Sequence, residues 1–303
     1  MDEHVRQAPA AALRPYLAWY TGYRQRGVPP AVHRGLPSPL LTLIFTLDEP
    51  LVMAAHPDPG QPPGSFRTLL GGLHAAPALI SHQGAQSGVQ IGLKPLGVRA
   101  LLGVPPGELT QIDVPADAVL GPVATRMHDR LGAAPSWADR FAVLDQEFTA
   151  LITVAEPPPE VGYAWRLLLG SGGSLPVAEL AGRTGWSTRH LASRFREEIG
   201  LTPKAAARVV RFDLARRALV SAAAAAWPPG SGGGPAASGG GPAASRGGAA
   251  ASRGSLAELA VACGYFDQAH LAREFRALAG CPPSQWLAEE FANVQAGAWL
   301  AGE

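Results

Sequence analysis

A short segment occurs twice in the C-terminal half of this chain, and the repeat limits what that half can fold into. Four positions that begin with Glu179 recur 79 residues later, and seven further positions, from His190 to Pro203, recur 80 residues later. The offset grows by one because the second copy gains a residue between Gly264 and His270. Two copies are too few for a solenoid, so the repeat predicts one small structural unit used twice.

Each copy has the pattern of two short helices joined by a turn. In the first copy, Pro176 suits an initial helical turn, Gly185 breaks that helix, and Ser187 is a suitable N-cap for the next one. In the second copy, Gly264 and Asp267 take the places of the glycine and the cap. Apolar residues at helical spacing give each second helix one buried stripe: Leu191, Phe195 and Ile199, then Leu271, Phe275 and Leu278. The pattern matches a helix-turn-helix, and a generic helical hairpin is the alternative.

The distribution of charge favours a surface that meets an anion. The whole chain has a net charge of +1 and only 16% charged residues, which excludes binding to a polyanion or a membrane by bulk charge. Residues 162–217, however, contain 10 basic and 4 acidic residues. A local basic field of this kind is typical of a nucleic-acid interface, although a solvated helix face gives the same count.

The polar face of each second helix favours a DNA-binding helix-turn-helix over a generic helical hairpin. Arginine and glutamine pair bidentately with guanine and adenine edges in the major groove. We therefore predict base contacts from eight residues: Thr188, Arg189, Ser193, Arg196, Gln268, Ala269, Arg273 and Arg276. We predict phosphate contacts from four others: Ser187, Arg208, Arg211 and Asp267.

Residues 162–287 resemble the C-terminal domain of the AraC/XylS family of bacterial transcriptional regulators. The second copy, LAVACGYFDQAHLAREFRALAGCPPSQW, carries the stronger match, because it has the family pattern G-[FY]-x-D-x-x-H-[FL]-x-[RK]-x-F followed by G-x-x-P and an aromatic residue. The resemblance implies seven helices that form two helix-turn-helix units on one rigid linker helix. It also implies a sequence-specific activator or repressor that in some members contacts RNA polymerase. The first copy departs from the family, which often has a basic residue where this chain has Ser193, with Arg194 one place later.

A linker helix is predicted over residues 204–226, which contain no Gly or Pro and are rich in Ala, Arg and Leu. At about 1.5 Å per residue it could reach about 30 Å, close to the roughly 34 Å of one turn of B-DNA. Two recognition helices on such a linker could enter successive major grooves without dimerisation of the chain. Its basic face is predicted to comprise Arg208, Arg211, Arg216 and Arg217. Residues 229–254, with 10 Gly, 7 Ala, 4 Ser and 3 Pro, are expected to form a disordered loop.

The sequence of the N-terminal half indicates both strands and helices. The expected fold class is therefore α+β: a mixed strand and helix domain followed by an all-α domain. Strands are predicted over residues 40–47 and 87–95, and helices over residues 97–102, 116–131 and 137–152, the last one after a Ser136 cap. This arrangement is similar to the sensor half of some actinobacterial-type AraC-like regulators, whose ligand is generally unknown.

The expected domains are a regulatory, sensor or dimerisation domain at 1–155, a proline-rich linker at 156–161 and a DNA-binding domain at 162–303. Few contacts are expected to cross a boundary of this kind.

No catalytic site can be argued from residue spacing. The histidines show no metal-site spacing and are interpreted as scattered polar or core residues, and Cys263 and Cys281 cannot build a disulfide scaffold or a zinc ribbon. We therefore expect no enzyme activity, no cofactor and no metal. No apolar run reaches 18 residues and no signal-peptide pattern is present, which predicts a cytoplasmic protein without membrane contact.

The predicted function is sequence-specific regulation of transcription on a double-stranded DNA operator. RNA polymerase, an unknown small-molecule effector and a second copy of the chain are the further partners considered. The alternative is an enzyme or small-molecule-binding protein in the N-terminal half with a degenerate regulator-like tail. An enzyme of that kind would be active through its N-terminal half alone and would lack salt-dependent affinity for DNA.

Overall fold

The computed structural model describes residues 2–226 and 256–290. In that part of the chain, all strands but the short last one lie within the first 93 residues and most of the remainder is helical, which confirms the predicted α+β class. The strands are β1 (Asp2–Gln7), β2 (Leu17–Arg26), β3 (Ala31–Gly35), β4 (Leu41–Thr46), β5 (Leu51–Ala55), β6 (Gly64–Phe66), β7 (Thr68–Gly71), β8 (Ala78–His82), β9 (Ala85–Leu93) and β10 (Asp113–Val114). The two predicted strands correspond to β4 and β9.

The strands form two antiparallel sheets. A six-stranded sheet has the order β1-β2-β9-β4-β7-β10, and a four-stranded sheet has the order β3-β8-β5-β6. Successive side chains of a strand point to opposite faces, and β4 shows the consequence. Leu43 and Phe45 belong to the main core, whereas Ile44 belongs to a second, smaller cluster with Met53 and Ile80 of the other sheet. The six-stranded sheet is therefore covered on both faces.

Helices cover the outer face of the six-stranded sheet. They are α1 (Pro95–Leu102), α2 (Asp117–Leu120), α3 (Pro122–Ala133) and α4 (Trp137–Leu151). Ser136 caps α4 as predicted, because its hydroxyl accepts a hydrogen bond from the Asp139 amide at 3.2 Å. The ring of Phe141 stacks on that of Tyr20 at 5.9 Å. Gly22 of β2 lies so close to the Trp137 ring that a Cβ there would be 2.3 Å from it, so this docking requires glycine.

Residues 116–131 were predicted to be helical, and the structure confirms this apart from one interruption. The structure has two helices there, α2 and α3, which are separated at Gly121. Gly121 has φ of 56°, a left-handed value that ends α2. Pro122 then opens α3, where its missing amide hydrogen is not needed.

The C-terminal half contains seven helices among its described residues, the number that the resemblance implies. They are α5 (Pro159–Gly170), α6 (Val177–Thr184), α7 (Thr188–Ile199), α8 (Pro203–Ala226), α9 (Leu256–Ala262), α10 (Gln268–Ala279) and α11 (Pro283–Glu290). The predicted linker helix is α8, which at about 1.5 Å per residue is about 36 Å long. The ring of Phe212 on α8 contacts that of Phe275 on α10 at 4.9 Å, and Trp165 on α5 contacts Phe195 on α7 at 6.0 Å. The predicted loop at 229–254 lies outside the described residues.

The expectation that few contacts cross between the halves was wrong. Buried residues of both halves form one continuous hydrophobic cluster. The guanidinium of Arg99 on α1 makes two hydrogen bonds, of 3.2 and 2.8 Å, to the buried carboxylate of Glu198 on α7. The Thr110 hydroxyl donates to the Gly200 carbonyl at 2.6 Å. The proline-rich composition near residue 157 marks the boundary between the two halves in the sequence. It carries no information about which surfaces of the two halves are in contact.

Candidate nucleic-acid interface

The first helix-turn-helix unit consists of α6, a short turn and α7. Gly185 ends α6 with φ of 73°, and the Ser187 hydroxyl caps α7 by accepting a hydrogen bond from the His190 amide at 3.2 Å. Leu191, Phe195 and Ile199 are fully buried, as the predicted stripe requires. One face of α7 is thereby fixed against the protein, and the opposite face is left to solvent.

The second unit repeats this construction with α9 and α10. Gly264 has φ of 79°, and the Asp267 carboxylate accepts a hydrogen bond from the His270 amide at 2.6 Å. Leu271, Phe275 and Leu278 are fully buried. Both second helices have 12 residues, and each ends at a glycine in the left-handed region. The sequence repeat is therefore a structural repeat.

The eight predicted base-contact residues all lie on the exposed faces of these two helices. They are Thr188, Arg189, Ser193 and Arg196 on α7, and Gln268, Ala269, Arg273 and Arg276 on α10. Among the described residues, none of these four arginine side chains has a hydrogen bond or ion pair. By contrast, Arg183 pairs with Glu179, and Arg194 pairs with Glu197 at 2.6 Å. Each of the two faces that the sequence singles out therefore carries two unpaired guanidinium groups.

The four predicted phosphate-contact residues already have partners within the chain. Ser187 and Asp267 use their side chains as helix caps. The Arg208 guanidinium lies 2.7 Å from a Glu274 carboxylate oxygen, and Arg211 donates to the Gly173 carbonyl. These side chains hold the units together in this conformation, so a role toward phosphate remains a prediction.

The predicted basic face of α8 is not a free cationic surface, and that prediction was wrong. Arg216 is buried and pairs with Asp213, and Arg217 also pairs with Asp213, at 2.8 Å. Arg216 is buried because α8 contacts α5, α7, α9, α10 and α11, so it has neighbours on several sides. Asp213 lies three and four residues before these arginines on α8 itself, so its pairing with them is visible in the sequence, whereas the burial of Arg216 is not.

Two aromatic contacts at the starts of the recognition helices were missed by sequence reasoning. The ring of His190 packs edge-on against Trp186 at 4.5 Å, and the ring of His270 packs edge-on against Tyr265 at 5.3 Å. The signal was present, because His190 and His270 are matched positions of the repeat and each turn glycine is followed by an aromatic residue. These pairs fix the first turn of each helix relative to the preceding turn.

The N-terminal half contacts both helix-turn-helix units. Arg99 and Glu198 join α1 to the end of α7. A 3-10 turn at Pro106–Leu109 lies against the same end of α7, where a Cβ on Gly107 would be 2.7 Å from the Glu197 carbonyl oxygen. At the second unit, a Cβ on Gly280, which ends α10, would be 3.4 Å from the Pro77 ring. Beside it, Arg34 of β3 forms an ion pair with Glu289 of α11, which packs on α10. The N-terminal half therefore contacts the C-terminal ends of both recognition helices.

A cavity of about 90 Å³ lies between the two sheets and is closed in part by the C-terminal half. Met53, Ile80 and Gln90 line it from the sheets, and Arg216 of α8 and Trp286 of α11 line it from the helices. The Trp286 indole nitrogen is buried and has no hydrogen-bond partner among the described residues. Sequence reasoning missed this cavity, since its lining comes from segments far apart in the chain.

Two histidines beside this cavity share one acidic neighbour. His56 Nδ1 lies 2.7 Å from a carboxylate oxygen of Asp113, and both side chains are buried. Burial lowers the pKa of His74, and this effect outweighs the hydrogen bond to the Ala76 carbonyl and the nearby Asp113 carboxylate. In residues 2–226 and 256–290, no three or more His, Cys, Asp or Glu side chains are placed to hold a metal ion.

Residues 5–115 match the family model described as a domain of unknown function, DUF6597. No curated protein matches the chain significantly. Among solved structures, ToxT from Vibrio cholerae is similar with a TM-score of 0.48 and 10% identity over 88% of this chain and 97% of that one.

Two further structures show weaker likeness. The unsaturated fatty acid-bound wild-type ToxT from Vibrio cholerae has a TM-score of 0.47 and 8% identity over 93% and 97% of the two chains. The AraC-like transcriptional activator CuxR has a TM-score of 0.27 and 12% identity over 68% and 84%. At these values none of them establishes what this chain does. No helix among the described residues is both long and apolar enough to span a membrane.

Proposed function

We propose that this chain is a sequence-specific DNA-binding protein that regulates transcription, of the AraC/XylS type. In this proposal α7 and α10 are the recognition helices and enter successive major grooves of one operator. Residues 162–303 would form the DNA-binding domain and residues 1–155 the regulatory domain. RNA polymerase and a second copy of the chain remain predicted partners.

The observation that carries the proposal is the pair of equivalent helices with unpaired arginines on their exposed faces. Each of the two faces carries two unpaired arginines: Arg196 and Arg276 are matched positions of the repeat, whereas Arg189 on α7 and Arg273 on α10 stand at positions that are not matched. An unpaired guanidinium is free to make two parallel hydrogen bonds to a guanine edge. A generic helical hairpin has no need to concentrate such side chains on the same face of both copies.

The length of α8 supports the two-groove arrangement. A helix of about 36 Å matches the 34–36 Å or so that separates successive major grooves on one face of the duplex. Contacts of α8 with both units hold them on a common support, including the Arg208–Glu274 ion pair to α10. One chain could then read two adjacent half-sites.

Selection of binding sites from random DNA tests this function directly. We expect a site with two conserved blocks whose centres are about one helical turn apart. Affinity for that site should fall steeply with salt, by about 0.9 in the log–log slope for each phosphate neutralised. Enrichment of no sequence, or affinity that does not depend on salt, would contradict the proposal and favour a ligand-binding or enzymatic N-terminal half.

We further propose that the cavity between the sheets binds a small effector. Support comes from its lining, because Arg216 and Trp286 belong to the helical half and the other lining residues belong to strands and loops of the N-terminal half. A ligand there would contact both halves at once. The cavity is well below the 300–1,000 Å³ or so of a drug-sized site, so this conformation accepts only a ligand of a few heavy atoms.

A cavity-filling variant tests the effector site. Thermal unfolding would be measured with a library of small organic acids, amines and alcohols, for the wild type and for Ile80→Trp. We expect at least one chemical class to raise the unfolding temperature of the wild type and not that of Ile80→Trp. Val52→Trp, on the same sheet at an exposed position, is the matched control and should respond as the wild type does. No response in the wild type, or equal responses in all three proteins, would refute the site.

A further inference from the structure

The turn of the second helix-turn-helix unit contains one residue more than that of the first, and the extra residue is Phe266. In the first unit the turn glycine is followed by Trp186 and then by the cap Ser187. In the second unit Gly264 is followed by Tyr265, Phe266 and the cap Asp267. The side chain of Phe266 is 86% exposed. The insertion therefore places a large apolar ring in solvent immediately before a recognition helix.

The fold does not use this ring. The residue before an N-cap commonly packs against the fourth residue of the helix, which here is Leu271. Tyr265 is buried instead, with 3% exposure, and its ring packs edge-on against His270. The Phe266 amide donates a hydrogen bond to His270 Nδ1 at 3.2 Å. The backbone of Phe266 is thus held in place while its ring has no packing role.

The neighbours of Phe266 are residues predicted to read bases. It precedes the cap of α10 by one residue, and Gln268 and Ala269 follow on the exposed face of the first turn. The N-terminal residues of a recognition helix contact base edges in the major groove. The one apolar group that a base presents there is the C5-methyl of thymine, and phenylalanine is among the side chains that contact it.

We propose that Phe266 is a specificity residue that packs on the C5-methyl group of a thymine at the edge of the block read by α10. The inference rests on the proposed function. A protein partner is the less favoured occupant, because polar Asp267 and Gln268 follow the ring in sequence, and the other large apolar side chain that is exposed among the described residues of the unit, Val261, lies on α9 and not on α10. The first unit lacks the inserted residue, so the methyl preference should appear in only one of the two blocks.

The test uses the full-length protein and the DNA site obtained by selection. Each thymine in the α10 block is replaced in turn by uracil, which lacks only the methyl group. A buried methyl is worth about a fourfold change in affinity, so one replacement should weaken wild-type binding by about that factor. Phe266→Ala should weaken binding to the unmodified site at least as much, and at that one position it should abolish the difference between thymine and uracil.

Three controls make the outcome decisive. Phe266→Leu keeps an apolar contact and should retain most of the thymine preference. Val261→Ala, also at an exposed apolar position, should leave both affinity and thymine preference unchanged. The unfolding temperature of Phe266→Ala should equal that of the wild type, since the ring is in solvent.

Several results would overturn the inference. These are a selected α10 block without thymine, equal loss of affinity on every sequence, or unchanged DNA binding combined with weaker transcription in a reconstituted system. Failure to select any DNA site is a different outcome, because it would refute the proposed function itself and the inference with it.

Discussion

At the scale of single residues, an arginine is a better candidate for binding when its side chain has no acidic partner within the chain. The number of arginines in a segment does not make this distinction. Arg194 and Arg208 are held by Glu197 and Glu274. Arg189 and Arg273 lie on exposed helix faces without such partners among the described residues. Surface ion pairs contribute little to stability, but they occupy a guanidinium that would otherwise be free for a ligand.

Replacement of Arg273 should change the sequence preference as well as the affinity. We expect Arg273→Ala to cost about 1–3 kcal/mol on the selected site and to relax the preference at one base position. Competition gel shifts against single-base variants of the site measure both effects. Arg67→Ala, an exposed arginine of the N-terminal half, is the matched control and should change neither. If Arg273→Ala weakens binding equally on all sequences, Arg273 contacts a phosphate and not a base. Arg189→Ala is expected to have the same effects as Arg273→Ala.

His74 should make stability fall as the solution becomes acidic. Its pKa is lowered in the folded protein by burial, while the unfolded chain has the ordinary value of about 6.5. Below about pH 6.5 the unfolded state therefore binds more protons than the folded state. The free energy of unfolding decreases as the pH is lowered through that range. The lowered pKa of His82, also caused by burial, acts in the same direction.

Urea unfolding at pH 7.5 and pH 5.5 measures this dependence. We expect His74→Asn to lose less stability than the wild type between the two pH values, since asparagine can still donate to the Ala76 carbonyl but does not titrate. The carboxylates with lowered pKa, Glu147 and Glu289, lose their contribution only near and below about pH 4.5 and do not interfere. If His74→Asn loses as much stability between pH 7.5 and pH 5.5 as the wild type does, His74 is not the group that makes stability depend on pH in this range.

At the scale of elements, both recognition helices depend on one side-chain cap at their N-terminus. Ser187 and Asp267 each accept a hydrogen bond from the amide three residues on. Removal of such a cap costs about 1 kcal/mol. We expect Ser187→Ala and Asp267→Ala each to lower the free energy of unfolding by about that amount, as measured by urea denaturation.

Conservative cap replacements provide the control for this prediction. Ser187→Asp and Asp267→Ser keep an acceptor oxygen and should retain most of the stability. A loss as large as that of the alanine variants would mean that the side chains act through something other than the cap.

At the scale of the whole molecule, the N-terminal half is joined to the helical half by an ion pair with one buried member. Glu198 is almost fully buried, and Arg99 on α1 supplies its bidentate partner. Removal of one partner leaves a buried carboxylate without compensation. Arg194 lies 4.0 Å from the same carboxylate and Arg99 is partly exposed, so the loss should be moderate.

We expect Arg99→Ala to lower the free energy of unfolding by about 1–3 kcal/mol. In a Glu198→Gln background, where no buried charge remains, the same substitution should cost much less, and a double-mutant cycle from urea denaturation measures the difference. Equal cost in both backgrounds would show that Arg99 acts by packing alone. If the halves communicate through this contact, DNA affinity should also differ between the wild type and Arg99→Ala.

The sequence by itself determined the local structure of the C-terminal half and much of its candidate site. The repeat, the caps Ser187 and Asp267 and the apolar stripes predicted α7 and α10 and placed the eight base-contact candidates on exposed faces. This succeeded because caps, glycine turns and helical periodicity are local in the chain. For the same reason α4 and its cap were predicted correctly, and β4 and β9 were recognised as strands.

Only the tertiary structure decided which surfaces meet. The pairing of Arg208 with Glu274, the contact between Arg99 and Glu198 and the cavity closed by Trp286 all join residues of different elements. Such contacts depend on how elements pack in three dimensions, and the charge or periodicity of one segment carries no information about its partner. The physical reason is that an element's hydrophobic pattern specifies that a face is buried, while the shape and charge of another element specify what buries it.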